Sequence, residues 1–201
     1  MPTMELDEAK ARELEEKFDS EIRFRPLAPL AARLVGTLLV VLSLFHYYTA
    51  GFGLLPEMIH RGVHLSFVLG LIFLVFPIAK RGYERPVPPG LLHPLGISLP
   101  DWILAVAAVV AVLHVPLIPL DDLAFRVGNP TRSDVILGAV LVFVLLEATR
   151  RSVGWPLPII ALLFMAYAML GQSMPGILVH PGSSFAQLID HLYLTTQGIY
   201  G

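Results

Sequence analysis

Residues 134–171 read DVILGAVLVFVLLEATRRSVGWPLPIIALLFMAYAMLG, two apolar runs joined by the polar elbow Arg150-Arg151-Ser152-Val153-Gly154. The first run, 135–146, carries no charge, and Glu147 is the one acid before the elbow. The second opens on Trp155, Pro156 and Pro158. Prolines are tolerated there because the amides of a first helical turn have no intrahelical acceptor. Each run is about 16–17 residues, or about 25 Å as helix, just enough to cross a hydrocarbon core. The stretch predicts a transmembrane helical hairpin.

Composition extends that reading to the whole chain. Of its 201 residues 55% are hydrophobic and only 15% charged, against about 25% charged in globular domains, so much of the surface is expected to face lipid. Mean hydropathy is +0.70. With 14 Lys+Arg against 16 Asp+Glu the net charge is −2, which offers no basic face to nucleic acid. Cysteine is absent, so disulfides, thiolate zinc sites, iron–sulfur clusters and c-type haem are excluded. The first apolar run follows roughly 30 polar residues, too long an n-region for a cleavable signal peptide, and is expected to be an uncleaved first span.

Taken in order, residues 1–30 form a polar tail with a weak helical stripe at Leu6, Ala9, Leu14 and Phe18. Residues 31–172 form the transmembrane domain, an all-α bundle of about five spans. The first three are expected at 31–50, 59–79 and 102–118, with Asp101 capping the third. The link 81–96 is proline-rich and extended, and 121–134 is a polar link turning at Gly128-Asn129-Pro130 toward a cap at Ser133 or Asp134. The hairpin supplies spans four and five, though either of its arms can be re-entrant, which leaves four spans open. Residues 173–201 are a Pro/Gly-rich turn and a short amphipathic helix. In that helix Ser184 and Gln187 form a capping box and Phe185, Leu188, Ile189 and Leu192 share one face, suited to the membrane surface.

Lys/Arg counts orient the bundle. One set of flanks holds Lys10, Arg12, Lys17, Arg23, Arg25, Arg33, Lys80, Arg81, Arg85, Arg150 and Arg151; the opposite set holds Arg61, Arg126 and Arg132. The excess predicts a cytoplasmic N-terminus and an outside C-terminus.

Two groups of residues carry chemistry worth weighing. Glu147 lies three and four residues before Arg150 and Arg151, within helical pairing reach. With Trp155 they read as a helix-end anchor or subunit interface; the alternative is a proton or ion relay. His46, His60, His64 and His114 fall near one leaflet. Pairs on different helices have the chemistry to ligate b-type haem, and the i, i+4 pair His60/His64 a divalent metal. That makes a histidine-ligated redox anchor subunit the main alternative function, with a transport-unrelated membrane scaffold as the third. No nucleophile motif, phosphate loop or dinucleotide fingerprint occurs, so no catalytic site is expected.

Three segments carry a family resemblance: LEATRR (146–151), VGWPLPIIALLFMAY (153–167) and HLYLTTQGIYG (191–201). They resemble the fused permease of TRAP transporters of the TAXI type (4TM/12TM), over about 33–201. The resemblance implies the small membrane component of a sodium-coupled organic-acid symporter of the bacterial inner membrane. Its implied partners are a large permease subunit or domain, a periplasmic substrate-binding protein and the lipid bilayer. In fused members the tail leads directly into the large transport domain. Substrate and sodium sites would therefore reside in that absent or separate part, and the resemblance implies no cofactor, metal or substrate residue here.

Overall fold

A computed structural model describes residues 24–53, 55–78 and 86–201. The stripe at Leu6, Ala9, Leu14 and Phe18 and the cations Lys80, Arg81 and Arg85 lie outside them. Among the described residues the chain is all helical, its one β feature being the isolated bridge Gly90–His93. Seven α-helices follow in order: α1 (Pro29–Gly51), α2 (Glu57–Val75), α3 (Leu99–His114), α4 (Leu120–Arg126), α5 (Arg132–Ser152), α6 (Pro156–Leu170) and α7 (Phe185–Leu194).

Local chemistry sets the boundaries. Proline lies at the first or second position of α1, α3 and α6, where its missing N–H has no cost. α2 stops at Val75, earlier than the expected 79, because Pro77 forces Phe76 out of the helical region into an extended conformation (φ −96°). α3 starts at Leu99, with Ser98 as its N-cap and Asp101 inside the first turn, so Asp101 is not the cap. Its last turn tightens into the 3-10 segment Val115–Leu117 around Pro116. The link expected as polar coil contains α4, with Asp121 and Asp122 at its start and Arg126 at its end, as the helix dipole favours. α5 opens on a capping box between Thr131 and Asp134 and stops where Gly154 takes φ +109°. α7 carries the expected Ser184/Gln187 capping box.

Four helical segments, Pro29–Gly51, Glu57–Val75, Leu99–Leu117 and Pro156–Ser173, are long and apolar enough to cross a membrane. α5 is as long, at 21 residues, but carries Arg132 and Asp134 at one end and Glu147, Arg150 and Arg151 at the other. It runs antiparallel to α3, from a contact between Asp101 and Arg151 to one between His114 and Asp134, and so traverses the same layer. The end where residue 24 enters is called proximal below and the opposite end distal.

α3 is the hub. Its most extensive contact is with α2, through small residues: a side chain at Gly62 would overlap Pro116, and Gly70 faces Val109. Such close approach is how helices associate where lipid offers no hydrophobic drive. On the other flank, Leu141, Val144 and Ala148 of α5 are buried against the hub. α7 docks on α5: a side chain at Gly138 would overlap Ile189, and Leu188, Ile189, Tyr193 and Leu194 are buried. Of the apolar face that the sequence offers to a membrane surface, Leu188 and Ile189 are turned to protein while Phe185 stays exposed. α1 and α6 are peripheral. Leu39, Val40 and Leu44 on α1, and Ile160, Leu163 and Phe164 on α6, are exposed, a belt that only lipid or another apolar partner can cover.

Candidate functional site

The four residues expected at a helix end do come together. Arg150 grips Glu147 with two parallel bonds, Nε to Oε2 and Nη2 to Oε1, each 2.7 Å. Its guanidinium lies 5.4 Å from the centre of the Trp155 ring. Arg151 donates Nε to Glu147 Oε1 at 2.7 Å. These contacts follow directly from i, i+3 and i, i+4 spacing.

The network then runs beyond what spacing reveals. Arg151 Nη1 donates to Asp101 Oδ1 at 2.6 Å and to the Phe76 carbonyl at 3.1 Å. Arg25 Nη2 donates to Asp101 Oδ2 at 2.5 Å and to the Phe73 and Phe76 carbonyls. Ser98 Oγ donates to Asp101 Oδ2 at 2.6 Å. The side chains of Arg25, Asp101 and Arg151 are at most 1% exposed. Every carboxylate oxygen of Asp101 and Glu147 therefore accepts from a cation, and each end of the chain of bonds sits on a different segment. Arg25 belongs to the segment 24–28 that leads into α1, Asp101 to α3, Arg151 to α5, and the carbonyls to the end of α2. The arrangement ties four segments at one point. It is the geometry of a staple rather than of a carboxylate left open to relay an ion.

Phe73 can accept because the residue four positions on is Pro77, which has no N–H, and Phe76 can accept because it already lies past the end of α2. The Phe73 ring faces the Arg151 guanidinium at 5.0 Å.

The distal end holds a second polar knot. Asp134, 1% exposed, accepts from Thr131 Oγ1 at 2.6 Å, Thr131 N at 2.9 Å, His114 Nε2 at 3.0 Å and Arg126 Nη1 at 3.2 Å. Tyr193 stacks on His114, ring centres 6.3 Å apart and planes 7° apart. The tail closes over this end: Tyr193 Oη donates to the Ala111 carbonyl and Tyr200 Oη to the Val112 carbonyl, both at 2.6 Å. The Val112 carbonyl needs that donor because residue 116, which would supply its helical N–H, is proline. Burial pushes both phenols above the ordinary tyrosine range, assisted by the Asp134 charge for Tyr193 and by Tyr193 for Tyr200. Arg61 Nη1 holds the Tyr200 carbonyl at 2.5 Å, and Asp190 accepts from the Gly128 amide at 3.0 Å.

Of the four histidines, His114 separates from the rest. His46, His60 and His64 gather between α1 and α2, with His46 Nε2 and His64 Nδ1 at 2.9 Å. The pair expected from i, i+4 spacing is thus replaced by one across two helices. Axial haem ligands stand about 4 Å apart across the iron with the porphyrin between them, so two rings in direct contact do not fit that role. Among the described residues no three His, Cys, Asp or Glu groups converge on a common metal position.

The sequence did not single out Arg25, Tyr193 or Tyr200 as site residues, and it offered Asp101 only as a helix cap. Two signals pointed to them: a charge in the first turn of an apolar helix, and a proline that orphans a carbonyl in a layer without water. No family model, curated protein or solved structure matches the chain.

Proposed function

We propose that this chain is the small membrane component of a TRAP-type secondary transporter for organic acids, scaffolding the large transport subunit in a bacterial inner membrane. The observation that carries the reading is α6, which takes up most of the segment VGWPLPIIALLFMAY (153–167) that bears the resemblance. Of its 15 residues only Pro158 is buried. Its proximal end is set by the elbow beside the Glu147–Arg150–Arg151 staple. Its distal end is locked by His180, which bonds the Tyr167 carbonyl at 3.1 Å, and by Tyr167 Oη, which bonds the Leu178 carbonyl at 3.1 Å. A helix held at both ends and bare along its length presents a fixed apolar wall, which suits a support for a second membrane subunit. Coupling ions and substrate would be handled by that subunit, and a periplasmic binding protein would deliver substrate at the distal end. This orientation follows the Lys/Arg excess on the proximal flanks.

Native mass spectrometry of the tagged chain, gently extracted from its own membranes, tests the reading. A stable complex with a much larger polytopic protein is expected. A lone 22.1 kDa species surviving mild extraction would refute it. Because the chain has no cysteine, single engineered cysteines probed with an impermeant thiol reagent check the orientation without background.

A further inference from the structure

The three histidines between α1 and α2 have no part in the staple or the tail, yet they occupy a position of leverage. α1 buries Ala31 and Val35 near its start and only Thr49 near its end. Gly36, directly after the last buried apolar residue, has open space around it. Among the described residues the His46–His64 contact is the one side-chain hydrogen bond that joins α1 to another helix. Past Val35, the apolar side chains that α1 turns to the bundle are only the partly buried Leu38, Leu42 and Phe45, and the imidazole pair is the one directional side-chain contact of its distal half.

We infer that protonation of the His46–His60–His64 cluster releases the distal half of α1 from α2, so that the cluster works as a pH-operated latch. An N–H···N bond between two imidazoles requires one neutral ring as acceptor, because a protonated ring offers only donors. One proton can be shared across the 2.9 Å contact, but a second places two cations donor to donor. His60 adds a third titrating ring, 5.4 Å from that of His46. Beside them on α2, Arg61 is permanently charged. Its one carboxylate partner, Glu57, accepts from it at 2.5 Å and is committed to it. From the tail, the Tyr200 carbonyl takes the other side of Arg61, and from α1 Phe45 packs its ring on His46 and His60. Glu57 is the only side-chain carboxylate, among the described residues, on the two clefts of about 520 and 270 Å³ that meet at the cluster. Each added proton thus meets the neighbouring rings and the Arg61 guanidinium, with Glu57 the one side-chain carboxylate at hand and Gly201 of the tail lining the smaller cleft. The same clefts give the rings access to aqueous protons. Acidification of the compartment at the distal end is what opens the latch, because only protonation removes the acceptor nitrogen on which the contact depends.

The test uses the full chain in lipid nanodiscs, where the absence of native cysteine allows clean spin labelling. Labels go on Tyr47→Cys of α1 and Leu117→Cys at the end of α3, sites 72% and 78% exposed. Leu117→Cys with Ile136→Cys, both outward-facing on the bundle body, is the reference pair. Between about pH 7.5 and about pH 5 the first distance distribution is expected to lengthen and broaden while the reference stays fixed. The shift should vanish when all three histidines are replaced by glutamine, and in His46→Gln alone should the triple variant fail to fold. An unchanged distribution at low pH, or a shift that persists without the histidines, overturns the inference.

Discussion

Replacing Asp101 with asparagine is the sharpest test of the proximal staple. The carboxylate is 1% exposed and lies between two guanidinia, at 2.5 and 2.6 Å. Removing one partner of a buried ion pair costs about 3–5 kcal/mol, because the other charge is left without an anion in low dielectric. Two features place Asp101→Asn at the lower end of that range. Arg151 keeps its bond to Glu147, and Arg25 keeps the Phe73 and Phe76 carbonyls. Asparagine also retains one carbonyl acceptor for the Ser98 hydroxyl or one arginine. The expected loss is about 3 kcal/mol, or roughly 6–12 °C in midpoint for a chain of this size. Asp101→Leu, with no acceptor, should approach about 5 kcal/mol. The same logic predicts recovery: the triple variant Arg25→Met, Asp101→Leu, Arg151→Met removes every stranded charge and should regain most of the loss. Thermal unfolding in a mild detergent, followed by circular dichroism, reads all of these. An Asp101→Asn variant within about 1 kcal/mol of the parent, or a triple variant no better than Asp101→Leu, would refute the reasoning.

Gly138→Leu should lift the tail from α5, because its side chain would occupy the space of Ile189 and Tyr193; a cost of about 1–3 kcal/mol should appear as faster hydrogen exchange over 185–201. Two of the six tyrosines, Tyr193 and Tyr200, should stay neutral as pH passes the ordinary phenol value of about 10, read by ultraviolet titration. The sign follows from linkage: with folded values raised, their contribution is intact below about pH 10 and is lost above it. The unfolded chain then releases protons that the folded one keeps, at up to about 1.4 kcal/mol per pH unit for each phenol, and a Tyr193→Phe, Tyr200→Phe variant should flatten the decline. Tyr200→Phe alone should cost about 1–3 kcal/mol by stranding the Val112 carbonyl, and less in a Pro116→Ala background, where the restored amide takes that carbonyl; equal costs in both would show that the hydroxyl does not serve it. In an assembled complex Glu147→Ala should weaken assembly or folding more than substrate affinity, and intact assembly with altered sodium dependence would overturn that expectation.

What was legible in the sequence is what local physics determines. The hairpin 134–171 announces itself by two charge-free runs around an elbow, and Glu147 finds Arg150 and Arg151 because helical geometry alone brings positions three and four apart together. The Ser184/Gln187 capping box is equally local. Asp101 shows where this stops. Its position at the start of an apolar helix suggested a cap, but its partners lie 76 and 50 residues away in sequence and are chosen by how the helices pack. The histidines repeat the lesson, since α2 alone suggests His60 with His64 while the packing of α1 on α2 selects His46, 18 residues away, instead. α7 was read as amphipathic, which it is, but an apolar face does not say whether lipid or protein will cover it. The bare spot at Gly138 decides that, and it can be seen only once α5 is in place.

The two polar knots share one construction. Ser98-Leu99-Pro100-Asp101 and Thr131-Arg132-Ser133-Asp134 are both hydroxyl-x-x-Asp sequences at a helix start, with the aspartate at the third helical position. In each, the hydroxyl lies 2.6 Å from the carboxylate. A helix N-terminus is where burying a carboxylate costs least, since unpaired amides and the dipole offset its charge. Each aspartate then has capacity left for two further cationic or donor groups from distant segments: Arg25 and Arg151 at Asp101, Arg126 and His114 at Asp134. Because α3 and α5 run antiparallel, their N-termini lie at opposite ends of the bundle, so one local motif used twice fastens both. Between the knots the contacts are apolar and small-residue, which pack closely but lack direction. The polar ends thus fix the register of α3 against α5 at both ends of the bundle.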